Sequence, residues 1–167
     1  QKANLGTSVH VHIDADETKS PGWKFHECEA QGIPVRIEIG PKDLAKEQAV
    51  LVRRDTGEKH FVGFTDIPAQ VVDLLTDIQK NLFERALTFR DKSIHDVDSY
   101  DEFKKVLEAK GGFIRAHWDG TAETEAKIKE ETKATIRCLP LGVEDEPGKC
   151  IVTGKSSSRR VLFARAY

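Results

Sequence analysis

The sequence predicts a mixed fold of α-helices and β-strands, arranged in two modules. Short segments alternate apolar and polar residues, as half-buried strands do, and longer segments repeat apolar residues every three to four positions, as helices do. The chain has 167 residues, 38% of them hydrophobic and 32% charged, so it is long enough to bury a core. We expect an α/β module over residues 1–95 and a small α+β module over residues 96–167.

The first module is predicted to begin with a strand over 8–14, in which three apolar residues alternate with histidines: Val9, Val11 and Ile13. A helix should follow, with Ser20 as its N-cap, Pro21 at its first position and Gly32 at its end. The next segment, 33–40, alternates again and predicts a strand with three inward side chains, those of Val35, Ile37 and Ile39.

A hairpin over 49–64 is predicted around Asp55-Thr56-Gly57, because Asp and Gly favour tight turns. A long amphipathic helix should then run from Asp66 to about Lys92. Its apolar positions recur at helical spacing: Val71, Leu75, Ile78, Leu82, Ala86 and Phe89.

The second module begins where an acidic, polar segment starts a new helix at about Ser99. The pattern then predicts alternating helices and strands: helix 99–110, strand 112–118, helix 122–133, strand 134–141, and two strands around 149–153 and 160–166.

Composition excludes several classes of protein. No segment is apolar for long enough to span a membrane, and no secretory signal is recognisable at the start of the chain. Three cysteines at wide spacing are a poor disulfide framework, which favours a reducing, cytoplasmic environment. The sequence contains no Met and starts at Gln1, so we expect a piece of a longer polypeptide.

Little in the sequence predicts catalysis. His10 and His12 lie on one face of the first predicted strand and, with Asp14 or Asp16, could begin the site of a small metal-dependent hydrolase. A solvated strand face is the simpler interpretation. The chain has neither a Gly-x-Ser-x-Gly elbow nor a phosphate-binding glycine loop.

Basic residues in the first module are interleaved with Trp23 and Phe25, a combination that suits single-stranded RNA. Glu29 and Glu38 could accept hydrogen bonds from guanine. An ordinary charged surface remains the alternative, and a formal net charge of −2 argues against indiscriminate nucleic-acid binding. The basic residues concerned are Lys24, Arg36, Lys42, Arg53, Arg54 and Lys59.

The segment "GKCIVTGKSSSRR" (148–160) has the spacing of half a zinc knuckle. Its second position, however, is Thr153 rather than a second cysteine beside Cys150. This segment is therefore a metal site, the remnant of one, or only a hairpin.

The segments "SPGWKFHECEAQGIPVRIEIGPKDL" (20–44) and "AVLVRRDTGEK" resemble the anticodon-binding domain of prolyl-tRNA synthetases of the archaeal and eukaryotic type. The resemblance continues through "GGFIRAHWDGTAETEAKIKEETKATIRC" and "SSSRRVLFARAY". It implies a class II synthetase anticodon-binding domain, truncated at its N-terminus, with a mixed five-stranded sheet flanked by helices. A small α+β C-terminal domain would follow it.

The resemblance also implies residue roles. Glu29 and Arg36 would read the two guanines of proline anticodons, Lys42 and Lys59 would serve the anticodon loop, and Arg53 and Arg54 would add phosphate contacts. Cys28 and Gln31 stand where the family usually has a larger apolar residue and a Lys. The chain itself would recognise tRNA without catalysing.

The resemblance further implies that the catalytic domain of the same polypeptide would join proline to tRNA with ATP and Mg²⁺. Such enzymes are typically homodimers. A synthetase-like interaction or regulatory module that no longer meets tRNA is the main alternative.

In the C-terminal domain the resemblance implies that four zinc-ligand positions have largely lost their cysteines. They correspond to Asp119, Thr124, Cys150 and Thr153. Thr is a weak neutral ligand, so we expect no zinc and a fold held by apolar strand residues such as Ile136, Val161 and Phe163. Cys138 should be a buried strand residue, and the terminal Tyr167 should contact the catalytic domain.

Overall fold

The computed structural model describes residues 9–165, which group into two units, one ending at Ala86 and the other beginning at Leu87. The boundary thus falls within a helix, nine residues before the division expected from the sequence at 95/96. The domain assignment 1–95 and 96–167 stays a prediction. No helix within 9–165 is both long and apolar enough to cross a membrane.

The first unit contains a three-stranded antiparallel sheet in the order β1-β2-β3. Its strands are β1 (Val35–Glu38), β2 (Gln48–Arg53) and β3 (Lys59–Gly63). Helices accompany the sheet: α1 (Pro21–Ala30), the short α2 (Pro41–Leu44) and α3 (Ile67–Lys92), which continues into the second unit.

Capping and turn residues fix these elements as the sequence predicted. The Ser20 side chain accepts a hydrogen bond from the Trp23 amide at the start of α1. Gly57 has a φ of 75°, which a tight turn between β2 and β3 requires and which glycine adopts without steric cost. The core of this unit lies on one face of the sheet, where α3 places Leu74 against Leu51 and Val62.

The prediction of a strand over 8–14 was wrong for the residues that the structure describes. Residues 9–16 form no strand, and Val9, Val11 and Ile13 are 43%, 73% and 82% exposed. Alternation alone does not make a strand, because a strand also needs a partner, and the described residues offer none here. The sheet formed by the described residues of this unit has three strands, whereas the resemblance implied five.

The strand at 33–40 does form, but two of the three residues predicted to be inward are exposed. Val35 packs against the core, whereas Ile37 and Ile39 are 40% and 52% exposed because β1 is an edge strand and ends at Glu38. The apolar stripe of α3 is also narrower than predicted: Ile78 is buried, but Phe89 is 75% exposed.

The second unit contains a four-stranded sheet in the order β4-β5-β9-β6, in which only β4 and β5 are parallel. Its strands are β4 (Ile94–Asp96), β5 (Phe113–His117), β6 (Ala134–Cys138) and β9 (Arg160–Arg165), with a separate pair β7 (Gly148–Lys149) and β8 (Ser156–Ser157). The helices are α4 (Tyr100–Ala109) and α5 (Ala122–Thr132).

The core of the second unit is built around the rings of Phe103 and Phe163, which meet edge to face with centroids 5.3 Å apart. Val161 is buried beside them and Ile136 packs against the same cluster, as predicted. The prediction that Cys138 is buried was wrong. This residue is exposed because it follows an irregularity in the register of β6, which is an edge strand.

Candidate RNA-binding surface

Arg36 on β1 is the centre of a charged cluster. Its Nε donates to Glu38 Oε1 at 2.9 Å, and one terminal nitrogen donates to Glu29 Oε1 at 3.3 Å. Its guanidinium also lies 4.2 Å from the centre of the Phe25 ring. These contacts leave the Arg36 side chain 16% exposed, with its planar group held in a defined position.

The two glutamates of this cluster differ in environment. Glu29, in the last turn of α1, is 52% exposed and therefore open to a ligand, whereas the Glu38 side chain is 19% exposed. Lys59 reaches Glu38 from β3, with 3.9 Å between Nζ and Oε2. Arg36 and Lys59 both pair with Val52 of β2, one from each side, so they lie on the same face of the sheet.

Lys42 and Arg54 are both exposed. Lys42 lies in α2, whose first turn is held by a 3.0 Å hydrogen bond from the Gly40 amide to Asp43. Arg54 directly follows β2, and its amide donates to the carbonyl of Pro34. The sequence analysis did not predict α2, which is a single short turn.

Arg53 differs from its neighbour Arg54, because its side chain is only 10% exposed and is paired with Asp55. It donates to both oxygens of Asp55, at 3.0 and 2.9 Å, and lies 3.6 Å from Asp77. Asp55 also accepts from Asn81 of α3 at 2.6 Å. The hydrogen bonds from Arg53 lower the pKa of Asp55 from 3.8 to about 2, against the opposing effect of burial.

Phe61 on β3 lies on the same sheet face as Arg36 and Lys59 and is 67% exposed. The sequence analysis did not single it out. Within a predicted strand an aromatic residue is typically part of the core, and Val50 and Val52 on the same face are indeed buried. Phe61 is exposed because β3 lies at the edge of the described sheet.

His10 and His12 gain no support as metal ligands. Both are exposed in a segment without regular structure, and no group of three or more potential ligands occurs within residues 9–165. Asp14 instead forms an ion pair with Lys24, with 2.8 Å between Oδ1 and Nζ. The hydrogen bond from Lys24 lowers the pKa of Asp14. Asp16 accepts from Thr18.

The four positions that correspond to zinc ligands lie in the second unit, and three of them form a hydrogen-bonded cluster. Asp119 Oδ2 accepts from the hydroxyls of Thr124 and Thr153, at 3.0 and 2.9 Å, while Oδ1 accepts from Thr121 at 2.9 Å. Burial opposes ionisation of Asp119, but these donors outweigh it and lower its pKa. Cys150 is buried with 3% exposure. Since the carboxylate oxygens already accept from hydroxyls and only one thiol is present, these residues do not fit zinc.

We therefore expect metal analysis of the purified chain to find no stoichiometric zinc, and a chelator to leave its melting temperature unchanged. Asp119→Ala should instead lower the free energy of unfolding by about 1–3 kcal/mol, because the buried hydroxyl of Thr124 loses its acceptor. Asp101→Ala, at an 87% exposed carboxylate, is the matched control. One tightly bound zinc per chain would contradict the interpretation.

Tyr167 lies outside the described residues.

Comparison with known families gives two matches. Residues 3–74 match the family described as anticodon binding domain, and residues 100–167 match the family described as prolyl-tRNA synthetase, C-terminal. The two matches lie in sequence order, as the resemblance implied.

Curated relatives match almost the whole chain. It is 52% identical over 159 residues to the proline–tRNA ligase of Christiangramia forsetii and 55% identical over 159 residues to that of Porphyromonas gingivalis, which in both cases covers 95% of the chain and 32% of the relative. The proline–tRNA ligase of Amoebophilus asiaticus is 48% identical over 167 residues, 100% of the chain and 34% of the relative. The chain thus spans about a third of the length of these relatives.

Proposed function

The chain belongs to the prolyl-tRNA synthetase family, as its C-terminal part, and we propose that it recognises the anticodon loop of proline tRNA within a proline–tRNA ligase. The observation that carries the proposal is the cluster of Arg36, Glu29 and Lys59 on one face of the first unit. This face lies within the residues that match an anticodon-binding domain.

Arg36 is the residue best suited to read a guanine. A guanidinium has five N–H donors, and two of its nitrogens each make one hydrogen bond to a glutamate, so donors remain for guanine O6 and N7. The same bonds fix the plane of the group before RNA arrives, which lowers the entropic cost of a bidentate contact.

Glu29 complements Arg36, because a carboxylate accepts hydrogen bonds from the Watson–Crick edge of guanine. Its 52% exposure leaves it accessible, and its contact with Arg36 keeps an acceptor beside the donors. A site with both features distinguishes guanine from adenine, since adenine presents a donor where guanine O6 accepts.

Lys59 belongs to this cluster, and Lys42 and Arg54 are exposed. We assign all three to the loop and its phosphates. Arg53 was predicted from the resemblance to contact phosphate as well. Because Arg53 donates to both oxygens of Asp55, we propose instead that it stabilises the turn between β2 and β3. This turn lies between Arg54 and Lys59.

The longer protein would perform the aminoacylation. Its catalytic domain would activate proline with ATP and Mg²⁺ and transfer it to tRNA, in a cytoplasmic homodimer, and Tyr167 would contact that domain. No catalytic residue is assigned to this chain.

The test is a competition between a proline anticodon stem-loop and the same stem-loop with both guanines replaced by adenine. We expect the chain to prefer the guanine loop by at least tenfold, because each of the two replaced guanines removes a base contact worth about 1–3 kcal/mol. Equal affinity for the two loops would contradict the proposal. It would favour an interaction module that is synthetase-like but does not read the anticodon.

A further inference from the structure

Phe61 is an aromatic residue on the sheet face that carries Arg36 and Lys59, and it is 67% exposed. It pairs with Val50 of β2, and Val50 pairs with Glu38 of β1. Directly paired residues share a face of a sheet, and so do residues two apart on one strand. Phe61 therefore lies on the face that carries Arg36, Glu38 and Lys59.

Phe61 lies where it could contact the base next to the one that Arg36 would read. Adjacent strands lie about 4.8 Å apart, so β1 and β3 are separated by roughly 10 Å. The ring follows Lys59 by two residues on the same strand. An aromatic ring beside a cation is the combination with which proteins hold unpaired nucleotides.

Two other aromatic rings of the first unit each lie against a cation. The Phe25 ring is covered by the guanidinium of Arg36 at 4.2 Å, and Trp23 has the ammonium of Lys19 5.1 Å from its centre. Phe61 instead is 67% exposed on an edge strand, where large apolar side chains promote unwanted association. A ligand that covers the ring would prevent such association.

We propose that Phe61 stacks on an unpaired base of the same RNA loop, next to the base contacted by Arg36 and Glu29. This inference rests on the proposed function and adds a second kind of contact to it. Stacking uses the face of a base, which all four bases possess, so Phe61 contributes affinity and Arg36 contributes the choice of base.

The test compares Phe61 variants on the guanine loop and on the loop with both guanines replaced. Phe61→Ala should weaken binding of both loops by the same factor, about 5- to 150-fold, the worth of one base–aromatic stack. Phe61→Tyr should bind as the unsubstituted chain does, and Phe61→Leu should bind as weakly as Phe61→Ala. Phe83→Ala, at a 61% exposed ring of α3, is the matched control and should change nothing.

An abasic scan of the loop locates the stacked base. Removing that one base should abolish the difference between the unsubstituted chain and Phe61→Ala, while removing the others should preserve it. Unchanged binding by Phe61→Ala, or full binding by Phe61→Leu, would overturn the stacking proposal.

The outcomes separate the two proposals. A guanine preference without any effect of Phe61→Ala overturns the stacking proposal alone. Equal affinity for both loops together with a loss in Phe61→Ala overturns guanine recognition and supports stacking. Absence of binding to either loop overturns both.

Discussion

Arg36→Ala is expected to remove most of the preference for guanine, which corresponds to about 1–3 kcal/mol or roughly 5- to 150-fold in the ratio of the two affinities. Affinity for a loop without guanines should change much less. The reason is that Glu29, Glu38 and Phe25 hold Arg36 in place while its bonds to the described residues use only two of its five N–H donors, and alanine supplies no donor. Equilibrium binding of both loops by the variant measures the effect.

Two further variants make the result specific. Arg36→Lys keeps the charge but lacks the planar fork, so it should resemble Arg36→Ala in specificity. Arg137→Ala, at an exposed arginine of β6, should leave both affinities unchanged. If Arg36→Ala weakened both loops equally, Arg36 would be a phosphate contact and the proposed reading of guanine would be wrong.

Asp55→Ala is expected to lower the free energy of unfolding by about 2–4 kcal/mol. The Asp55 side chain is 1% exposed, and its loss removes the closest carboxylate that the structure describes beside the buried Arg53, leaving the more distant Asp77. Breaking a buried ion pair is strongly destabilising because one charge remains uncompensated. The substitution also removes the acceptor of Asn81, and so a link between the hairpin and α3. Denaturant unfolding of the variant and the unsubstituted chain gives the difference.

The effect of Asp55→Ala should depend on pH in a defined direction. Asp55 has a pKa lowered from 3.8 to about 2, so its contribution is fully present above about pH 4 and is lost as the pH falls through 2. The stability gap between the two proteins should therefore narrow over this range. Asp77→Ala, at a 70% exposed carboxylate, is the control and should cost less than about 1 kcal/mol at neutral pH. Equal stability of the Asp55 and Asp77 variants would contradict the account.

Local signals in the sequence predicted most helices and turns, because the physics involved is local. Ser20 and Ser99 cap α1 and α4 through hydrogen bonds to backbone amides three residues on, and such bonds need no tertiary contact. The turn at Gly57 depends on the same kind of local geometry.

Elements that depend on distant partners could not be predicted in this way. Residues 9–13 have the alternation of a strand but no pairing partner among the described residues, and they form none. β4 was missed for the opposite reason. Its three residues carry little pattern and become a strand by parallel pairing with β5, whose sequence lies beyond α4.

The proposed site was predicted in part. The residue types and the resemblance singled out Glu29, Arg36 and Lys59, which the structure brings onto one surface. The sequence could not distinguish Arg53 from Arg54, because their difference arises from the alternation of β2 and from Asn81, which lies 26 residues after Asp55. The exposure of Phe61 likewise depends on the position of β3 at the edge of the described sheet.

The central claim, base recognition by the first unit, is tested most directly by the salt dependence of the guanine preference. Phosphate contacts make affinity fall linearly with the logarithm of salt concentration, whereas hydrogen bonds to base edges depend on it much less. We predict that the affinities for the guanine loop and the substituted loop fall in parallel between 50 and 300 mM salt, about tenfold or more apart. If the affinities for the two loops were equal at every salt concentration, or became equal as salt rises, the chain would bind RNA only through its positive charge. Either result would contradict the account.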